Sequence, residues 1–233
     1  MTDEQLVLPL DHQPALTRDD FLIGPGNATA LALIEAWPRW QVPVLLLSGP
    51  PGSGKTHLVE IWRARSGATT FPAADLEEAT GEGLTLADAV AIEDIDRAPG
   101  REGALFHLLN RARERGVTVL LTSRVSDAGA IFGLPDLVSR LRAAQPATLE
   151  APDDDLLVRV LVKLFADRQL VVAPALAAHF ASRIDRTFEA ADRLVRHLDE
   201  AALAAGRPIT RQLAAPFLGG EADDEETALT ERK

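Results

Sequence analysis

The chain contains no cysteine. That excludes a disulfide framework, thiolate zinc sites and iron–sulfur clusters, and it fits a reducing compartment. No apolar run approaches the ~18 residues at which a membrane span is read. The start, Met1-Thr2-Asp3-Glu4, is acidic and lacks the apolar stretch of a secretory signal. The expectation is a cytoplasmic protein with no membrane partner. Positive charge is scarce, with 24 Lys+Arg against 35 Asp+Glu and a net charge of −11. Phosphate backbones demand local positive charge, so such a chain is a poor non-specific DNA binder. Lysine is rare, with Lys55, Lys163 and Lys233 set against 21 arginines. The five histidines (12, 57, 107, 179 and 197) are scattered and match no metal-ligand spacing.

What is present suffices for a folded body. The 233 residues are 46% apolar and 25% charged, a globular balance in a chain long enough to bury most of its apolar surface. Composition divides it into an N-terminal arm (1–16), an α/β region (17–151), a helical region (152–218) and an acidic tail (219–233). The tail holds six acids against two bases and few large apolar groups, so disorder is expected there. In the α/β region, Val42–Leu47, Ala68–Phe71, Ala89–Ile92 and Val117–Leu121 read as short strands, apolar on both faces. Helix-length segments separate them, Glu102–Arg115 being the clearest, with Gly116 as a left-handed cap. Buried strands alternating with helices predict a parallel sheet covered on both faces. Beyond it, Asp153 is the expected N-cap of an amphipathic helix carrying Leu156, Leu157, Val160, Leu161, Leu164 and Phe165 on one stripe. Further helices are expected over Pro174–Ile184, over Thr187–Ala205 and from near Thr210. Trp37, Trp40 and Trp62 are expected to cover the sheet's edge.

Gly49-Pro50-Pro51-Gly52-Ser53-Gly54-Lys55-Thr56 matches G-x-x-x-x-G-K-[ST] between a buried strand and a helix, the context that gives the motif its meaning. Glycines let backbone N–H groups face inward as an anion nest, and the following helix adds positive potential at its N-terminus. Lys55 offers an ammonium to the β- and γ-phosphates, and Thr56 offers a hydroxyl to Mg²⁺. His57 packs in the first turn of that helix. A Gly/Pro-rich turn with no ligand is the competing reading.

Val90-Ala91-Ile92-Glu93-Asp94 has the form of a Walker B strand, apolar and then doubly acidic at the carboxyl edge where open α/β sheets take their ligands. Glu93 would hold Mg²⁺ through water, and Asp94 would polarise the attacking water. Glu93 stands where most such strands carry Asp, which puts the hydrolysis rate in doubt. Ser123, at the end of the strand over Val117–Leu121, is a candidate γ-phosphate sensor. Arg140 and Arg142, two apart on a helix, face different ways. For any single arginine, Arg186 included, a surface ion pair is the default.

Together these pieces resemble the AAA+ ATPases of the DnaA clade, from about Asp20 to Leu218. Phe21-Leu22-Ile23-Gly24-Pro25-Gly26-Asn27 looks like the segment that lines the adenine pocket in that clade, which implies that Leu22 and Ile23 meet the nucleotide. The resemblance implies a P-loop αβα sandwich with a parallel five-stranded sheet, followed by a small all-α lid domain. It also implies ADP or ATP with Mg²⁺ as cofactors. On it, Ser123 falls at sensor 1, Arg140 at the arginine finger that acts on a neighbouring subunit's nucleotide, and Arg186 at sensor 2. The arm's Gln5-Leu6-Val7-Leu8-Pro9-Leu10 resembles the peptide by which proteins dock on the bacterial DNA polymerase sliding clamp (its beta subunit). Gln5 offers an amide, Pro9 disfavours helix, and Leu6, Leu8 and Leu10 are apolar anchors for a groove. Leucines packed on the chain's own core are the bland alternative.

No segment resembles DnaA's helix-turn-helix domain, so sequence-specific DNA binding is not expected. A DnaA-like body with a clamp peptide is similar to the regulatory inactivators of DnaA. That resemblance implies the sliding clamp and DnaA as partners, self-assembly as an option, and at most weak intrinsic ATPase activity. It would act by lending Arg140 to hydrolysis of DnaA-bound ATP. A DnaA-like ATPase helping a helicase or transposase on DNA is the alternative, and would need a basic surface of which Arg111, Arg113 and Arg115 are the best candidates. A small-molecule P-loop kinase is the least favoured.

Overall fold

The computed structural model describes residues 16–76, 88–97 and 100–218. The clamp-like peptide Gln5–Leu10 and the acidic tail lie outside them.

Five strands form one sheet: β1 (Val44–Ser48), β2 (Thr69–Pro72), β3 (Ala89–Glu93), β4 (Thr118–Ser123) and β5 (Gln145–Thr148). They pair in parallel in the order β2-β3-β4-β1-β5. Parallel pairing follows from strands buried on both faces, whose alternate residues enter two separate cores. Leu46, Val90, Ile92, Val119 and Leu121 pack under α3 (Glu102–Arg115) and α4 (Pro135–Arg142). Leu45, Leu47, Ala89, Ala91 and Leu120 pack under α1 (Ala28–Glu35) and α2 (Lys55–Ser66). A third core joins α5 (Asp154–Asp167), α6 (Pro174–Ala181), α7 (Phe188–Ala205) and α8 (Arg211–Ala214) through Leu157, Leu161, Phe165, Phe180 and Leu198. The observed architecture is the expected αβα sandwich with a parallel five-stranded sheet and a following helical body. Among the described residues no helix is long and apolar enough to cross a membrane.

The strands run one or two residues further than the apolar runs, and β1, β3 and β4 end on polar residues at the sheet's carboxyl edge. Val42 and Pro43 fall outside β1, because Pro43 has no N–H for a ladder, although its carbonyl accepts from Val119 N–H at 2.8 Å. Strand β5, the fifth the resemblance required, escaped the apolar pattern because only Ala147 of its four residues is buried. Helix α6 stops at Ala181, short of Ile184, where Ser182 Oγ donates to the His179 carbonyl at 3.0 Å. The expected caps at Asp153 and Gly116 form, and Thr187, expected as a helix's first residue, is that helix's N-cap. Asp153 accepts from Leu156 N–H, Thr187 from Ala190 N–H, and Gly116 has φ 73°.

The tryptophans lie on a face of the sheet rather than at its edge. Trp62 follows Leu58 by one turn on the inward stripe of α2 and is fully buried. Trp40 stacks on it at 5.5 Å and Trp37 meets it edge-on at 6.3 Å.

Candidate functional site

Strand β1 delivers the chain into the glycine-rich turn at the sheet's carboxyl edge, where Gly49 N–H donates to the Ser123 carbonyl at 3.1 Å. Gly52 and Gly54 take φ of 68° and 94°, a region costly for residues with a Cβ. Glycine is required at 52 for space as well. A Cβ there would lie 2.7 Å from Thr187 Cβ. The neighbouring Phe188 N–H donates to the Gly52 carbonyl at 3.0 Å, so α7 begins directly on the turn.

Lys55 is buried, and its Nζ donates to the Gly49 and Pro50 carbonyls at 2.8 and 2.9 Å. An ammonium carries three donors, which leaves one for a ligand. Burial pulls its pKa below the ordinary lysine value, while Asp94, Asp96 and Glu93 oppose that shift. Ser53 Oγ is buried without a hydrogen-bond partner.

The acidic end of β3 meets this turn. Thr56 Oγ1 donates to Glu93 Oε2 at 2.8 Å. Burial, more than any other influence, raises the Glu93 carboxyl above its usual range, opposed by the Thr56 bond. A cation beside it would favour the ionised form that burial disfavours. Two hard oxygens side by side suit Mg²⁺. Among the described residues no group of three or more His, Cys, Asp and Glu could hold a metal ion, so phosphate oxygens and water would complete the shell. Asp94 takes the left-handed conformation, φ 56°, which aspartate tolerates better than most residues. Its N–H donates to Thr122 Oγ1 at 2.9 Å, and its carboxylate lies 3.4 Å from Arg97.

Lys55, Thr56 and Asp94 open on a cavity of about 700 Å³, a size suited to a small ligand, which Glu93 and Ser53 do not line. One end is formed by Pro51, Gly52, Gly54, Lys55, Thr56 and Asp94, with Arg97 and Arg124. The other is lined by Phe21, Leu22, Val160 and Leu164, all apolar. His57, on the first turn of α2, lies between them, edge-on to Phe21 at 5.1 Å, with Nε2–H donating to the Thr17 carbonyl at 2.7 Å. Burial lowers its pKa below 6.5. Phe188, Glu189 and Asp192 of α7 close the remaining side.

Several expected residues stand elsewhere. Ser123 is fully buried, and its hydroxyl donates to the Val125 carbonyl at 2.7 Å while accepting from Val125 N–H at 3.0 Å. It does not line the cavity; the next residue, Arg124, does, braced by Asp96 at 2.6 Å. Arg186 pairs with Asp154 at 2.9 Å and is outside the lining. Ile23 is exposed, its carbonyl accepting from Arg159 at 2.9 Å. Arg140 lies on α4 with its guanidinium 5.2 Å above the Phe106 ring, and it too is outside the lining. Arg124, Arg97 and Lys163 were not singled out from sequence. Their signal was only that Arg124 follows a polar strand end and Arg97 follows the acidic one.

No protein-family model matches the chain. Over 227 residues it is 29% identical to the chromosomal replication initiator protein DnaA of Caulobacter sp. (strain K31), covering 85% of this chain and 47% of that protein. The chain thus spans about half the length of the curated relatives it matches. Domain III of the Thermotoga maritima replication initiation protein DnaA superposes with a TM-score of 0.77 at 21% identity, covering 89% of this chain and 97% of that one. A replication initiator DnaA bound to AMPPCP and single-stranded DNA superposes with a TM-score of 0.69 at 17% identity, covering 83% and 69%. The chain is homologous to the replication initiator DnaA and has the AAA+ fold of that protein's domain III.

Proposed function

We propose that the chain binds ADP or ATP with Mg²⁺ in this cavity and acts as a clamp-docked regulator that promotes hydrolysis of DnaA-bound ATP. The observation that carries nucleotide binding is the convergence of the phosphate turn, the Thr56–Glu93 pair and an apolar slot on one cavity. Backbone N–H groups of the turn and Lys55 would hold the β-phosphate, Thr56 and Glu93 would hold Mg²⁺ through water, and Phe21, Leu22, Val160 and Leu164 would enclose the base. Mg²⁺ neutralises phosphate charge. Asp94 would orient a water in any intrinsic hydrolysis. Ser123 and Arg186 reach the phosphates only if their present bonds, to Val125 and Asp154, are exchanged.

The regulatory role is supported by the Gln5-Leu6-Val7-Leu8-Pro9-Leu10 peptide, by homology to DnaA, and by Arg140. Arg140 does not line its own chain's cavity, which suits it to a partner's nucleotide. An arginine finger stabilises charge on the departing γ-phosphate and is worth roughly 10³–10⁵ in rate.

The test is co-elution with DNA-loaded sliding clamp in ADP, followed by a hydrolysis assay on ATP-bound DnaA. Alanine at Gln5 and Leu8 should abolish co-elution. Arg140→Ala should keep nucleotide and clamp binding but lose stimulation, by at least about 10³-fold if the finger is essential. Stimulation at the wild-type level by Arg140→Ala overturns the finger assignment. Tight, salt-sensitive DNA binding without clamp would instead favour a helper ATPase acting on DNA.

A further inference from the structure

In a chain with three lysines and 21 arginines, two of the lysines line the same cavity. Lys55 lies among the charges of Asp94, Asp96 and Arg124. Lys163 lies elsewhere, on α5 beside the apolar slot. Its Nζ is 2.7 Å from Asp20 Oδ1 and 2.7 Å from Asp167 Oδ2. Asp167 is one turn away on the same helix, but Asp20 is 143 residues distant in sequence, on the segment that supplies Phe21 and Leu22. The second Asp20 oxygen accepts from Thr17 Oγ1 at 2.5 Å.

This contact is part of a series. Asp155, Arg159, Lys163 and Asp167 recur every four residues and form one polar stripe along α5. Arg159 is anchored by Asp155 at 3.1 Å and donates to the Ile23 carbonyl at 2.9 Å. The other side of residues 17–23 is held by His57 of α2, which donates to the Thr17 carbonyl. The segment is therefore a strap between the sheet body and the first lid helix. Its apolar side chains Phe21 and Leu22 line the same cavity as Val160 and Leu164 of α5. Separating the strap from α5 at this point breaks the Lys163–Asp20 contact.

We propose that Lys163 is a positioning residue that latches α5 to the 17–23 strap and so sets the rate of nucleotide release. The inference rests on the nucleotide-binding reading above. An ammonium suits the place because it bonds two carboxylates arriving from different directions, whereas a guanidinium donates in one plane. The latch acts on the wall of the slot and leaves the phosphate turn unchanged.

The test is stopped-flow displacement of a fluorescent N-methylanthraniloyl ADP from the full chain, in wild type, Lys163→Met, Asp20→Asn and the double variant. Asp20 is half-buried and Asn is close to it in size, so Asp20→Asn keeps the test open if Lys163→Met folds poorly. Each single change should speed dissociation about 5- to 10-fold with the association rate little altered, and the double variant should be no faster than the singles. Without nucleotide, both singles should speed amide hydrogen exchange across residues 17–24. Wild-type release rates in the single variants, or additive effects in the double, overturn the latch alone. Absence of any binding by the wild type overturns the nucleotide reading, and the release role falls with it.

Discussion

The two ends of the cavity are built by opposite means. The glycine-rich end is local: eight consecutive residues make the turn, and the acid that joins them is the last residue of a buried strand. The apolar end is assembled from the 17–23 segment, α2 and α5, none adjacent in sequence, through contacts such as Lys163–Asp20 and His57–Thr17. Chemistry that depends on backbone N–H groups has to be continuous, because only consecutive peptides form a nest. Enclosing an apolar base has no such requirement, and any elements that meet can share it.

Three changes separate the ends. The largest effect is expected from Lys55→Ala. Each charge-assisted hydrogen bond is worth about 1.5–3 kcal/mol, so calorimetry should show ADP affinity reduced by about 10- to 150-fold per lost bond. A loss this size is not expected from any single side chain at the apolar end; finding one would erase the distinction. Next comes Gly52→Ala. A left-handed alanine costs about 1–2 kcal/mol, and its Cβ would meet Thr187 at 2.7 Å. Thermal unfolding should shift down and ADP affinity should fall roughly 10-fold, because the change strikes the turn and the lid at once.

The smallest effect concerns His57. Its folded pKa is depressed by burial, so the stability it contributes is present above pH 6.5 and lost as pH falls through the folded value. Asp20 and Lys163 face it with opposing influences. Glu93 has the opposite sign: its raised pKa gives stability below 4.5 that is lost as pH rises through the folded value. On going from pH 7.5 to 5.5, the wild type should therefore lose melting temperature relative to His57→Phe. Equal slopes would remove His57 from the strap's support.

How much could be read in advance follows the same division. The phosphate turn, the Glu93–Asp94 strand end and the caps at Asp153 and Gly116 each depend on a few neighbouring residues, and each was legible. The apolar stripe of α5 was legible too, but not its polar stripe, because Asp155, Arg159, Lys163 and Asp167 gain meaning only from the strap opposite. Strand β5 was hidden by Pro146 and by its exposed flank. Ser123 illustrates the limit of reading position alone. Its place at the end of β4 is as expected, yet its hydroxyl is committed to a turn with Val125, and whether it turns away depends on φ and ψ that no spacing encodes. Arg186 likewise stands at the start of the α7 region, with its charge answered by Asp154.

The bond from Phe188 N–H to the Gly52 carbonyl has a mechanical consequence. The lid's longest helix is tethered, at its first residue, to a peptide unit of the loop that would wrap a phosphate. Any rotation of that peptide plane is passed to the start of an 18-residue lever, so a sub-ångström adjustment around the anion becomes a larger sweep at the far end of α7.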